Sequence, residues 1–158
     1  MPSEYLLSQE KARQQYNAAF HLLNVTFPLV KDPKLLMGVL HNVFSSMEAS
    51  MDAILSYERE LQLVPHYQPY FQNKYNAFRS KSVPRNKIPL ELVNLMGELK
   101  EVLDLHQKSP MEFRRGNKLI ICSSNYHLIK TISIKELTYY IQQTKQFMDL
   151  TTQIIRFK

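Results

Sequence analysis

Apolar residues recur along most of this chain at the three-to-four-residue spacing of helices buried on one face. Tyr5, Ala12, Tyr16, Ala19, Phe20, Leu23 and Phe27 line up over residues 3–27. Ser3 is placed to cap that helix, and Pro28 is expected to stop it, because its ring clashes with a continuing turn. Asp32-Pro33 then opens the longest breaker-free stretch, residues 33–62. Its stripe is Leu36, Leu40, Val43, Phe44, Met47, Met51, Ile54, Leu55 and Leu61. A second stripe is small or polar: Gly38, Asn42, Ser45, Ala49, Ala53 and Ser56. Small residues admit a close neighbour, so this helix is expected to be covered on two sides. Either the chain's own bundle or a second copy, in a homodimer through Pro33–Leu61, would cover it.

Residues 64–89 hold four prolines and one short helical pattern, residues 70–79. A clear helix resumes over 89–107, with Leu92, Leu95, Met96, Leu99, Val102 and Leu103 as its stripe, and stops at Ser109-Pro110. The period then falls from near four to two. Lys118–Cys122 and Tyr126–Ile132 read as a β-hairpin over about 118–132, turning at Ser123-Ser124-Asn125. Gly116-Asn117 is a further turn signal that can fold residues 112–115 back as a third strand, with Phe113 opposite Ile120. The capping box Ser133-Ile134-Lys135-Glu136 starts a last helix over 134–157. The fold expected is mostly α: a four-to-five-helix bundle, one domain over 1–158, with a small antiparallel hairpin before the C-terminal helix. No repeat occurs at the 20 to 50 residues typical of solenoids.

Composition narrows the function. Three Gly leave no phosphate-cradling loop, and one Cys excludes an intrachain disulfide. Cys122 sits in an apolar run and reads as buried. No segment has the length of a membrane span or the pattern of a signal peptide, so a cytoplasmic location is expected. The net charge is +6, and its excess lies wholly in the second half.

Between Leu61 and Leu90 there is no acidic residue, while Lys74, Arg79, Lys81, Arg85 and Lys87 alternate with Tyr67, Tyr70, Phe71, Tyr75 and Phe78. Cations neutralise phosphates and aromatic faces stack on unpaired bases. With Arg114 and Arg115 at the hairpin, these residues are the candidate surface for RNA or an acidic protein partner. The competing reading makes the aromatics core and the cations a solvated loop.

Metal and nucleophile signatures are lacking: there is no HExxH, CxxC or GxSxG. No cofactor or metal is expected, and the sequence leans away from an enzyme. The best polar cluster on one helix is His41, Ser45, Glu48 and Asp52, near Asn17 and His21; it supports an alternative reading as a helical-bundle hydrolase. The architecture is similar to bundles of the HEPN type, which include metal-independent ribonucleases with an Arg and a His four to six residues apart. Here Arg85-Asn86 precedes the fourth helix, but Lys87, Ile88, Pro89, Leu90, Glu91 and Leu92 follow without a histidine.

Overall fold

Pro28 does not end the first helix. In the computed structural model, which describes residues 3–108, 111–122 and 128–156, α1 (Glu4–His21) passes through a π-helical turn, Leu22–Thr26, into a short α2 (Phe27–Val30). The Phe27 N–H reaches back to the Leu22 carbonyl. That wider turn eases the clash that proline makes with the carbonyl of an ordinary α-helix. The rod ends instead at Lys31, whose backbone is left-handed with φ 58°. Ser3 precedes α1 as expected, but its side chain caps nothing.

The same device returns later. Short α4 (Phe71–Ala77) runs through a π-helical turn, Phe78–Ser82, into α5 (Val83–Asn86), with Pro84 inside and Lys87 left-handed at φ 53°. Phe27-Pro28-Leu29-Val30-Lys31-Asp32-Pro33 thus shares its backbone course, and its Pro, Lys and Pro positions, with Val83-Pro84-Arg85-Asn86-Lys87-Ile88-Pro89. The helices that follow also correspond: Leu36, Leu40 and Val43 of α3 (Leu35–Glu60) take the places of Leu92, Met96 and Leu99 of α6 (Leu90–Lys108), and all six are buried. A π-helical turn followed by a proline-bearing helical turn thus occurs twice, ahead of α3 and ahead of α6. The predicted basic loop after Phe78 is helical for the same reason.

α3 is the central helix. Most of its residues are buried, against α1, α4, α6 and the last helix, α7 (Ile134–Arg156). Its small residues meet α1: a Cβ on Gly38 would come within 2.9 Å of Leu22, and the buried Ser46 hydroxyl donates to the Ala12 carbonyl at 2.7 Å. The two-sided coverage read from the second stripe is supplied by the chain's own helices. Asp32 accepts from the Lys34 N–H at 3.0 Å and caps the entry, although regular α-helix starts only at Leu35.

Between α6 and α7 lie three antiparallel strands in the order β1 (Met111–Arg115), β2 (Lys118–Cys122) and β3 (Leu128–Ile132). Phe113 pairs with Ile120, as the turn signal predicted. Gly116 alone takes positive φ at that turn, the pattern of a type II′ hairpin. The turn read at Ser123-Ser124-Asn125 lies outside the described residues. Leu119, Ile121 and Ile132 are fully buried and press the sheet onto the helices; Cys122 is also buried. Ser133 accepts from the Glu136 N–H at 3.2 Å, one half of the capping box. The Glu136 carboxylate does not reach back; it pairs with Lys130 and accepts from the Tyr140 hydroxyl.

Candidate nucleic-acid interface

Several of the sequence-predicted binding residues are engaged inside the bundle. Lys74 is half-buried between two α3 carboxylates, at 3.3 Å from Glu48 and 2.9 Å from Asp52. Burial pushes the Asp52 carboxyl above the usual carboxylate range, with Lys74 pulling the other way. Burial works most strongly against the Lys74 ammonium, but the hydrogen bonds and charges of Asp52 and Glu48 together outweigh it and raise its pKa. Arg85 lies 3.0 Å from the fully buried carboxylate of Glu58 and donates to the Leu63 carbonyl at 2.7 Å. Arg79 covers the Tyr75 ring at 5.5 Å.

The aromatics between these cations are mostly core. Tyr75 and Phe78 are buried, and Phe71 stacks on Tyr75 at 5.1 Å and packs on Phe44. The Tyr75 hydroxyl donates to the Val93 carbonyl at 2.7 Å. Tyr67 lies under Arg59, and Tyr70 is exposed. Lys81 and Lys87 are exposed and make no ion pair among the described residues.

Arg85 and Arg114 do not share a surface. Arg114 pairs with Asp32 at 3.1 Å, just before α3 begins, whereas Arg85 pairs with Glu58 close to where it ends. At 1.5 Å of rise per residue the two sites are roughly 35–40 Å apart.

A different group of cations lies at the Arg114 end. The Arg114–Asp32 pair ties the β1–β2 hairpin to the turn between α2 and α3. Lys31 and Lys34 flank Asp32 in that turn and are exposed. Arg115 and Lys118 are register partners at the hairpin tip, also exposed. Side chains alternate across a strand, so Phe113 and Arg115 occupy the face opposite to Arg114. Phe113 is 46% exposed there. Lys31 and Lys34 carry no sequence signal of their own, because only the fold ties the hairpin to their end of the bundle.

Histidines gather at the same end. His106 Nε2 lies 3.2 Å from Glu112 Oε2, and Glu112 and Arg114 share the inner face of β1. Desolvation, and secondarily the charge of His106, holds His41 below its ordinary pKa. The cluster read from sequence is divided, since Glu48 and Asp52 turn to Lys74 while His41 faces His106. Among the described residues no group of three or more His, Cys, Asp or Glu is placed to hold a metal ion, and no helix is long and apolar enough to cross a membrane.

No protein-family model matches this chain, and neither a curated protein nor a solved structure matches it.

Proposed function

We propose that the chain is a non-enzymatic binding module for single-stranded RNA, engaged at the hairpin end of the bundle. The observation that supports this is the Arg114–Asp32 contact at 3.1 Å, which holds the hairpin that carries Arg115 and Lys118 at the same end of the bundle as Lys31 and Lys34. At this end Asp32 is already paired with Arg114 and Glu112 faces His106, and the summed field of the four cations favours a polyanion. Phe113 on the outer sheet face offers a ring on which an unpaired base can stack. Arg79, Lys81 and Lys87 extend the positive surface elsewhere, while Lys74 and Arg85 act through the fold. The test is gel retardation of a single-stranded RNA by the whole chain at low salt, with Arg115→Glu/Lys118→Glu as the comparison. Retention of RNA by that variant, or no retardation by the parent chain, overturns the reading. Binding of an acidic protein but not RNA is the outcome that would move it to the other partner class.

A hydrolase reading has one specific observation in its favour. His41, His106 and Glu112 lie at the same end as the cations, a pair of imidazoles with one carboxylate orienting one of them. Metal-free incubation with RNA tests it: cleavage that His41→Ala and His106→Ala both abolish would establish it, and intact RNA would remove it.

A further inference from the structure

β1 lies at an edge of the three-stranded sheet and is paired to β2 on one side. The turn fixes which main-chain groups look outward. In a two-residue hairpin the residues that flank the turn, here Arg115 and Lys118, exchange main-chain hydrogen bonds, and such pairs alternate along an antiparallel ladder. The main chains of Arg115, Phe113 and Met111 therefore bond to β2, whereas the N–H and C=O groups of Glu112 and Arg114 point away from it. No main-chain bond from another element reaches those groups among the described residues. Phe113, Arg114 and Arg115 are exposed, as an open edge requires. Such an edge is a template for one more strand.

The charges of β1 select the strand that fits. Met111-Glu112-Phe113-Arg114-Arg115 carries a carboxylate and a guanidinium two positions apart, on one face of the strand. Two copies of β1 pairing antiparallel about a two-fold axis set their outward main-chain groups opposite each other when the axis passes Glu112, Phe113 or Arg114. An axis at Glu112 opposes two carboxylates, and one at Arg114 opposes two guanidiniums. An axis at Phe113 sets Glu112 of each copy opposite Arg114 of the other. Like charges directly opposite destabilise an antiparallel pair, and opposite charges stabilise it. The Phe113 register also overlaps all 5 residues of the strand and brings the two Phe113 rings together in a non-hydrogen-bonded pair, where side chains lie closest. Glu112 already meets His106 at 3.2 Å and Arg114 meets Asp32 at 3.1 Å, but a carboxylate and a guanidinium each have capacity for a further partner.

We propose that the chain forms a two-fold symmetric dimer by pairing β1 with β1 of a second copy, with Phe113 at the axis. One continuous antiparallel sheet then runs through both copies. The contact is small, so the association is weak, with Kd on the order of 10–100 µM. It rests on the strand edge and involves no RNA, so it can fail while the RNA reading stands, and the reverse.

Sedimentation equilibrium of the full chain without nucleic acid tests it, over concentrations that span that constant. A monomer at the low end and a dimer at the high end are expected. Glu112→Arg and Arg114→Glu each oppose like charges at both pairs, and each is expected to weaken self-association at least about tenfold. Mixed together, the two variants restore both opposite-charge pairs, and the mixture is expected to dimerise about as tightly as the parent chain. Amide exchange on the parent chain needs no substitution: exchange at the Glu112 and Arg114 N–H groups is expected to slow as concentration rises. Where a variant loses the parent's circular-dichroism spectrum, that exchange measurement decides. A monomer at every concentration, folded variants that dimerise as the parent does, a mixture of folded variants that stays monomeric, or exchange that ignores concentration overturns the proposal.

Discussion

The Arg85 guanidinium faces the Glu58 carboxylate at 3.0 Å, and that carboxylate is wholly shielded from water. Asn86 donates to the other carboxylate oxygen at 2.9 Å and also to the Ser82 carbonyl. The π-helical turn and Pro84 thus end in a polar lock against the last turns of α3. Removing one member of a buried pair leaves its partner charged and uncompensated, which costs about 3–5 kcal/mol. Because Glu58 is fully buried and Arg85 partly exposed, Arg85→Ala, which strands the carboxylate, is expected toward the high end of that range and Glu58→Ala toward the low end. Chemical denaturation of both variants checks the order.

RNA affinity is expected to fall steeply with salt. Neutralising about four phosphates of a single strand gives a slope near −3 in log K against log salt concentration. The Arg115→Glu/Lys118→Glu variant should bind weakly and with a shallower slope. Lys74→Gln should lose stability, through Glu48 and Asp52, while keeping the salt slope of the parent. A filter-binding series over salt concentration separates the two.

Lys31 joins a backbone demand to a surface charge. Its φ of 58° strains a residue with a side chain, and glycine takes that conformation freely. Lys31→Gly and Lys87→Gly are each expected to raise stability by about 0.5–1 kcal/mol, less what glycine adds to the unfolded chain's entropy. Lys31→Gly should at the same time weaken RNA binding. Thermal melts and the binding assay on one preparation show whether the effects have opposite signs.

At Gly97 a side chain has no room. A Cβ there would stand 2.6 Å from the Tyr75 hydroxyl, which is anchored on the Val93 carbonyl. Gly97→Ala is expected to destabilise by about 1–3 kcal/mol through overpacking, despite alanine's better helix propensity. Gly38→Ala meets only the flexible end of Leu22 and should be nearly neutral. The difference in denaturation midpoint between the two variants is the measurement.

His41 sets a pH dependence of known sign. Its folded pKa lies below the ordinary 6.5, so the unfolded chain binds more protons just beneath that value. The contribution is fully present above pH 6.5 and is lost as pH falls through the lowered folded pKa. Asp52 acts oppositely and lower: its folded pKa is raised above 3.8, so acidification into that range favours the folded state, and the benefit is lost as pH rises through the raised value. Melting temperature against pH should decline from neutral toward pH 5.5, and His41→Gln should flatten that decline.

Helix stripes, the hairpin alternation, the Phe113–Ile120 register and the Ser133 cap were determined by the sequence itself, because they rest on periodicity and local hydrogen bonding. Pro28 misled for a local reason too: a proline stops an α-helix, but one π-helical turn lets the chain pass it. The recurrence of that device around Pro84 converts a stretch read as loop into helix. What only the tertiary structure decided is which charges are paired. Lys74 and Arg85 look like surface cations in a stretch without acids, yet their partners Glu48, Asp52 and Glu58 come from another helix. Lys31 and Lys34 gain neighbours only when Arg114 closes on Asp32. Burial and ion pairing are set by residues far apart in the chain, and no local pattern encodes them.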